Sequence, residues 1–327
     1  MRRRFGSITE RNALDHVNTP GLTWHSVRRD AGLMAFVPPG PEERLHAIGS
    51  LAHLPARLQR AFSPGDDFEP VPLPARRDWL NVSREPGQSF ERFTRTASRH
   101  RSDGVRRILL QPLGSFPTEQ SELLLALRRF ATAFFGLDVQ LLPPLCIDGI
   151  ITTRRNRFTG VLQLKTRDIL PLLASHAPPD GCVLAVTAHD LYAHDTWRFV
   201  FGEAIVDERV GVIGLARYDP RFYDKPSDPV LLLCRSCKVL AHEVGHMLGM
   251  LHCVFFSCLM NGSNSLAESD GRPLHLCPVD LRKLQWLLGF DIVERYRHLL
   301  AFWRDVGVTA EVHWIERRLE IIEGQDH

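Results

Sequence analysis

The run His242-Glu243-Val244-Gly245-His246-Met247-Leu248-Gly249-Met250-Leu251-His252 constrains this chain more than any other stretch. An α-helix advances about 100° per residue, so positions four apart lie about 40° apart, and His242 and His246 offer imidazoles to one metal ion from one helical face. Glu243, next to the first histidine, reaches the open coordination position, where a metal-activated water needs a base. Gly249 stands three residues past His246. There a residue free to take positive φ ends the helix and turns the chain back, and His252 supplies a third nitrogen. Any fold for this chain must therefore set a helix, a glycine turn and a returning backbone segment around one ion. Three protein ligands with one position left open is the arrangement of a catalytic zinc.

The extended His-Glu-x-x-His-x-x-Gly-x-x-His pattern with a following methionine turn is a metzincin signature, and Met260, eight residues beyond His252, stands in that place. Alone, a methionine is a core gap-filler; its position after the third histidine marks the apolar turn beneath a metal. Around it lie Cys253, Cys258, Leu259-Met260 and Cys277. This stretch resembles the archaemetzincins, whose pattern joins the three-histidine site to a second zinc held by four cysteines, C-x4-C-x-M and then C-x-x-C. The likeness continues through Arg235-Ser236-Cys237-Lys238, Gly262-Ser263-Asn264, Arg272-Pro273-Leu274, Lys283-Leu284-Gln285 and Val293-Glu294-Arg295-Tyr296. Upstream, Asp190-Leu191-Tyr192, Trp197, Phe199, Phe201-Gly202 and Ala216-Arg217 look like the vertebrate members, so the resemblance spans about residues 105–305.

What the resemblance implies is a zinc metallopeptidase of α/β (α+β) class, with a twisted mixed sheet, a zinc helix, a Met-turn and C-terminal helices. It implies a catalytic zinc on His242, His246 and His252 with Glu243 as the catalytic base, and aminopeptidase action on small peptides. It also implies a second, structural zinc on Cys253, Cys258 and Cys277. Where the family has its fourth cysteine, this chain reads Cys277-Pro278-Val279-Asp280. Asp280 is a candidate oxygen ligand, and His275, Cys237 and Cys234 are others near in sequence. Equally, Asp280 fits as a carboxylate that charges the first turn of a helix beginning near Pro278. A hard oxygen in place of a thiolate predicts a weaker site.

At 327 residues and 44% hydrophobic content the chain can bury a full core as one large or two ordinary domains. Its net charge of +2 provides no field that selects nucleic acid, and the expected partner is the peptide substrate that the resemblance implies. The sequence places no constraint on oligomeric state. Met1-Arg2-Arg3-Arg4 is followed by polar residues rather than an apolar stretch, so no secretion signal is expected. No run of eighteen apolar residues predicts a membrane span. Of seven cysteines, five (Cys234, Cys237, Cys253, Cys258 and Cys277) cluster near the histidines. Thiols so placed read as metal ligands in a reducing, intracellular, cytoplasmic setting.

Residues 1–104 are punctuated by proline and glycine and read as a wrapping extension with one helix, over residues 42–62, broken near Pro55. From Arg106 the periodicity predicts strands over 108–110 and 139–142 flanking a helix over 118–135. A short strand follows at 160–164, then a helix over 168–174 capped by Thr166. Strands over 182–187, 198–201 and 210–216 lead to the zinc helix over 233–250, and one edge strand runs antiparallel to the rest. Helices over 278–288, 291–303 and 310–322 follow, giving a catalytic domain over 105–305 and a C-terminal helix or tail over 306–327. His189 and His194 read as turn residues. Tyr192 is a candidate donor to a tetrahedral oxyanion. Trp197, Phe199 and Phe201 alternate with period two and read as the buried face of a strand rather than a substrate platform. An edge strand over 199–204 would align an extended peptide by strand addition. The reading from another class is a zinc-organised peptide-binding protein without catalysis. Glu243 argues against it, because a purely structural zinc needs no base and closes all four positions with protein ligands.

Overall fold

The computed structural model of the chain describes residues 35–102 and 104–324. In the first of these segments, proline and glycine cut the backbone into four short helices, not the single one expected. α1 (Pro41–Ile48) stops at Gly49 and α2 (Ala56–Phe62) begins after Pro55. α3 (Trp79–Val82) is one turn, too short to leave a periodic trace, and α4 (Phe90–Ser102) is strongly polar, so neither is expected from the sequence. Ile48, Phe62, Phe68 and Phe93 join the main core of the chain.

The next residues build a β-α-β unit from β1 (Arg107–Leu113), α5 (Thr118–Phe135) and β2 (Asp138–Leu141). After it come β3 (Thr153–Arg155), β4 (Leu162–Lys165), α6 (Thr166–Ala174), β5 (Gly181–Thr187), β6 (Asp190–Tyr192), β7 (Gly202–Ile205) and β8 (Val210–Gly214). The main sheet has five strands in the order β2-β1-β5-β8-β7. All neighbours are parallel except β7, which lies antiparallel to β8 at the edge, as expected. Every residue of β5 is buried because helices cover both faces of this strand. Cys182, Leu184 and Val186 face the core with α5, whereas Val183 and Ala185 face Ile169, Leu170 and Leu173 of α6.

A second sheet, of three strands ordered β3-β4-β6, stands beside the first and corrects three expectations. Residues 198–201 are a loop in which only Val200 bridges, to Leu191, and the strand begins at Gly202. The reason lies in β3, β4 and the turn between them: Arg154 donates to the carbonyl of Trp197, and Asn156 and Gln163 donate to that of Arg198. Side chains thus take acceptors that a strand ladder would use. Asp190 to Tyr192, where no strand is expected between the turn residues His189 and His194, form β6. Thr166 does not cap α6; its hydroxyl donates to Glu203, and Lys165 holds the cap position without a side-chain bond.

The helix expected to carry the zinc ligands is α7 (Pro229–Met247), and beyond it lie α8 (Leu266–Asp270), α9 (Pro278–Leu288), α10 (Ile292–Asp305) and α11 (Thr309–Glu323). The last three match the expected helices to within two residues; α8 is extra. No helix among the described residues is long and apolar enough to cross a membrane.

Candidate functional site

α7 starts where the Asp228 carboxylate accepts the Leu231 amide at 2.9 Å, just ahead of Pro229. Its apolar stripe of Leu233, Cys237, Leu240, Val244 and Met247 locks the helix onto the core at helical spacing. His242, Glu243 and His246 line a cleft. The helix ends three residues earlier than expected because Gly249 takes φ 84°, its amide bonding to the His246 carbonyl at 2.8 Å. The reversal brings His252 to the other two histidines. Met260 closes beneath them: a Cβ on Gly245 would lie 2.6 Å from its sulfur, so the methionine turn touches α7 only because that residue has no side chain.

The three rings offer nitrogens that all lie within 4.8 Å of one another, with Nε2 of His242 and His246 3.0 Å apart. Each ring's remaining nitrogen is engaged. Nδ1 of His242 meets the Leu259 carbonyl at 3.1 Å, and that of His246 meets the Met250 carbonyl at 2.7 Å. His252 Nδ1 meets Glu85 Oε1 at 2.9 Å. Carbonyls and carboxylates only accept, so each Nδ1 carries the proton and the Nε2 lone pairs are turned inward. Inward lone pairs repel unless a cation lies among them. Burial, then the neighbouring His252, pushes His242 down to about 3, so a proton is not that cation at neutral pH. The donor set fits zinc.

The cleft has a volume of about 820 Å³ and is walled by residues 196–204, by part of the 261–272 segment and by Arg76, Arg77, Trp79, Val82 and Ser83. Burial, then the charge of Glu203, pushes Glu243 up to about 8. Trp197, Phe199 and Phe201 line the cleft half-buried while Val200 between them is buried, the reverse of the expected pattern. Behind this wall Arg217 grips Asp190 with two bonds of 2.8 Å, and its guanidinium lies 3.5 Å from the Phe199 ring centre. Tyr192 is buried beneath Arg154, 3.8 Å from its ring, and does not line the cleft; Tyr218 does. His189 and His194 are not among the lining residues. Tyr218, Glu203, Trp79 and Glu85 carry no local sequence signal, since each reaches the site by a tertiary contact.

Cys253 continues the backbone from His252 but points into a second cluster. Its amide bonds to the Met260 carbonyl at 2.9 Å, and Asn261 clips the intervening loop through Cys258 N, Cys253 O and Phe256 O. Cys253, Cys258, Cys277 and Asp280 are all buried, and their ligand atoms lie within 4.8 Å of one another. The sulfurs of Cys253 and Cys277 are 3.6 Å apart, and Asp280 Oδ2 lies 3.2 Å from Cys258 Sγ and 3.5 Å from Cys277 Sγ. Lys283 holds the other oxygen, Oδ1, at 2.7 Å. His275 instead stacks on Trp314 at 3.6 Å, and Cys234 and Cys237 lie outside the cluster. Burial pushes Asp280 up to about 6 against the pull of Lys283. Burial likewise raises Cys258 and Cys277; it opposes the ionisation of Cys253 as well, but hydrogen bonds from the other two thiols hold that one low. Three soft donors and a carboxylate with one lysine among them fit a buried dication.

The sequence profile of peptidase family M54 matches residues 180–286. Archaemetzincin-2 of Rattus norvegicus is 37% identical over 75% of this chain and 77% of its own length. Archaemetzincin-2 of Homo sapiens is 38% identical over the same shares. The crystal structure of an archaemetzincin from Methanopyrus kandleri is 26% identical with a TM-score of 0.46, covering 58% of this chain and 98% of that one.

Proposed function

The chain belongs to the archaemetzincins, peptidase family M54, and is a zinc metallopeptidase; from that premise we propose that His242, His246 and His252 hold the catalytic zinc and that Glu243 is the base and acid of peptide hydrolysis. The observation that carries this reading is the convergence of three Nε2 atoms whose Nδ1 partners are all acceptors. Bound there, zinc supplies Lewis acidity for the water and for the scissile carbonyl. Glu243, adjacent on the helix, takes the water's proton and returns it to the leaving amine. In the metal-free protein burial and Glu203 push this carboxyl up to about 8, and a zinc ion beside it would pull it back toward the ionised form that accepts a proton. The aromatic wall of Trp197, Phe199 and Phe201 packs against substrate side chains, and the β7 edge, with Gly202, Glu203 and Ala204 on the cleft, aligns the peptide backbone.

Aminopeptidase action calls for a carboxylate that receives a free α-amine. Glu203, the other acid lining the cleft, is engaged by the Thr166 hydroxyl and by Arg167 at 3.3 Å. Peptides with a blocked N-terminus are therefore substrates as well. Cys253, Cys258, Cys277 and Asp280 hold a second, structural zinc, and thiolate ligands of this kind suit a reducing intracellular compartment. The test is a peptide library containing free and N-acetylated members, digested by wild type and by Glu243→Gln. Cleavage of both sets by wild type and of neither by the variant is expected. No cleavage by the zinc-replete wild type would leave the non-catalytic peptide-binding reading.

A further inference from the structure

His242 and His246 hold their Nδ1 protons against backbone carbonyls, which no substitution alters. His252 depends on a side chain: Glu85 Oε1, 167 residues earlier, accepts from its Nδ1 at 2.9 Å. Glu85 lies well before the part of the chain, residues 180–286, that the family profile matches. Its carboxylate is itself fixed, because Trp79 Nε1 donates to the same oxygen at 2.9 Å, and Glu85 and His252 side chains are 7% and 8% exposed. The Trp79 ring stands edge-on to His252, with 5.2 Å between ring centres. Three residues beyond Glu85, Gln88 grips the loop that carries His252 at two points, donating to the Gly249 carbonyl and accepting from the Leu251 amide, both at 3.1 Å.

We propose that Glu85 is the positioning residue of the third zinc ligand, and that the strap from Trp79 to Gln88 is a working part of the active site. A carboxylate on Nδ1 does two things. It fixes the tautomer that leaves the Nε2 lone pair free, and it makes that nitrogen more basic toward a metal. Because the flanking loop turns at Gly249 and has no helical ladder to hold it, the orientation of His252 is set by the strap. The extension that reads in sequence as a wrapping segment thus decides whether the site has two rigid ligands or three. This inference rests on the zinc assignment above but not on peptide hydrolysis.

The experiment measures zinc affinity by competition with a chromophoric chelator for full-length wild type, Glu85→Ala, Glu85→Gln and Trp79→Phe. Histidine tautomers are read by nitrogen NMR in the metal-free proteins. Glu85→Ala should lose roughly 10–100-fold in affinity at the first zinc to leave, the range for outer-shell changes, with His252 shifting toward a mixture of tautomers. Glu85→Gln retains an oxygen acceptor and should lose less; Trp79→Phe keeps the ring and should lose least. If the alanine variant fails to fold, the glutamine variant decides. Wild-type affinity and an unchanged His252 tautomer in Glu85→Gln and Glu85→Ala would overturn the proposal. So would a fall in affinity that merely tracks the melting temperature of the metal-free protein while the tautomer stays fixed. A wild type that cleaves no peptide yet loses zinc on Glu85→Ala would overturn the peptidase reading and keep this one.

Discussion

His252 and Cys253 are neighbours in the chain and belong to opposite kinds of site. The histidine cluster borders a cleft of about 820 Å³ and offers three nitrogens, which leaves a coordination position for chemistry. The cysteine cluster, one residue on, is sealed, offers four donors, and has a lysine where the other would have a substrate. The His252 side chain meets Glu85 and that of Cys253 meets Cys277, so a single segment serves both sites, and Asn261 clips the loop at the Cys253 carbonyl. On the proposed reading, what separates a working metal from a holding one is which side of one short loop faces the cleft.

The sharpest way to test that division is to remove function from one side without touching metal. Glu243→Gln keeps every histidine ligand, so zinc content should hold while kcat/KM falls about 10²–10⁴-fold, the usual contribution of a general base. Turnover unchanged in a zinc-replete variant would erase the distinction between the sites.

Next in size is the effect of stranding a charge on the closed side. Lys283 and Asp280 side chains are 1% and 0% exposed and paired at 2.7 Å. Lys283→Met should cost about 3–5 kcal/mol in the metal-free protein, the penalty for breaking a buried pair, read as a lower midpoint in urea. An unchanged midpoint would mean that the Asp280 carboxyl sheds its charge freely and is a poor ligand.

His252→Ala should weaken zinc binding at the cleft by more than the roughly 10-fold at which outer-shell changes begin, while His189→Ala and His194→Ala, outside the lining, should leave it within error. Equal losses in all three would break the assignment of the third ligand.

The smallest expected effect is kinetic. Under graded chelation the cleft zinc should leave first, since a chelator can reach it, and the buried zinc only with opening of the loop over residues 253–261. Asp280→Cys, supplying a fourth thiolate, should slow the second step and leave the first alone. One zinc per chain at saturation would reduce Asp280 to a carboxylate in the first turn of α9.

How much of this is legible in the sequence depends on distance along it. His242, Glu243, His246, Gly249 and His252 fit within eleven positions. Their geometry follows from helical pitch and one positive φ, which are local properties. α5 and the last three helices, α9 to α11, are legible for the same reason: their apolar faces repeat at helical spacing. Asp280 is half legible, as its spacing from Cys277 nominates it but cannot turn its carboxylate toward sulfur. The aromatic wall reads wrongly. Alternation at Trp197, Phe199 and Phe201 is a strand pattern, and nothing local reveals that Arg154, Asn156 and Gln163 hold the carbonyls of that segment.

The sequence by itself nominated the three histidines, the acid beside them and the thiols behind them, because helical pitch sets His242, Glu243 and His246 within one turn and the glycine turn sends the chain back past them. Only the tertiary structure decided what completes the site. Glu85 lies 167 residues from His252, the Asp280 carboxylate turns toward Cys258, and Tyr218 rather than Tyr192 reaches the cleft. Each of these is a contact between elements whose approach is fixed by burying a shared core, and no residue pattern within one element encodes which side chain of another will arrive there.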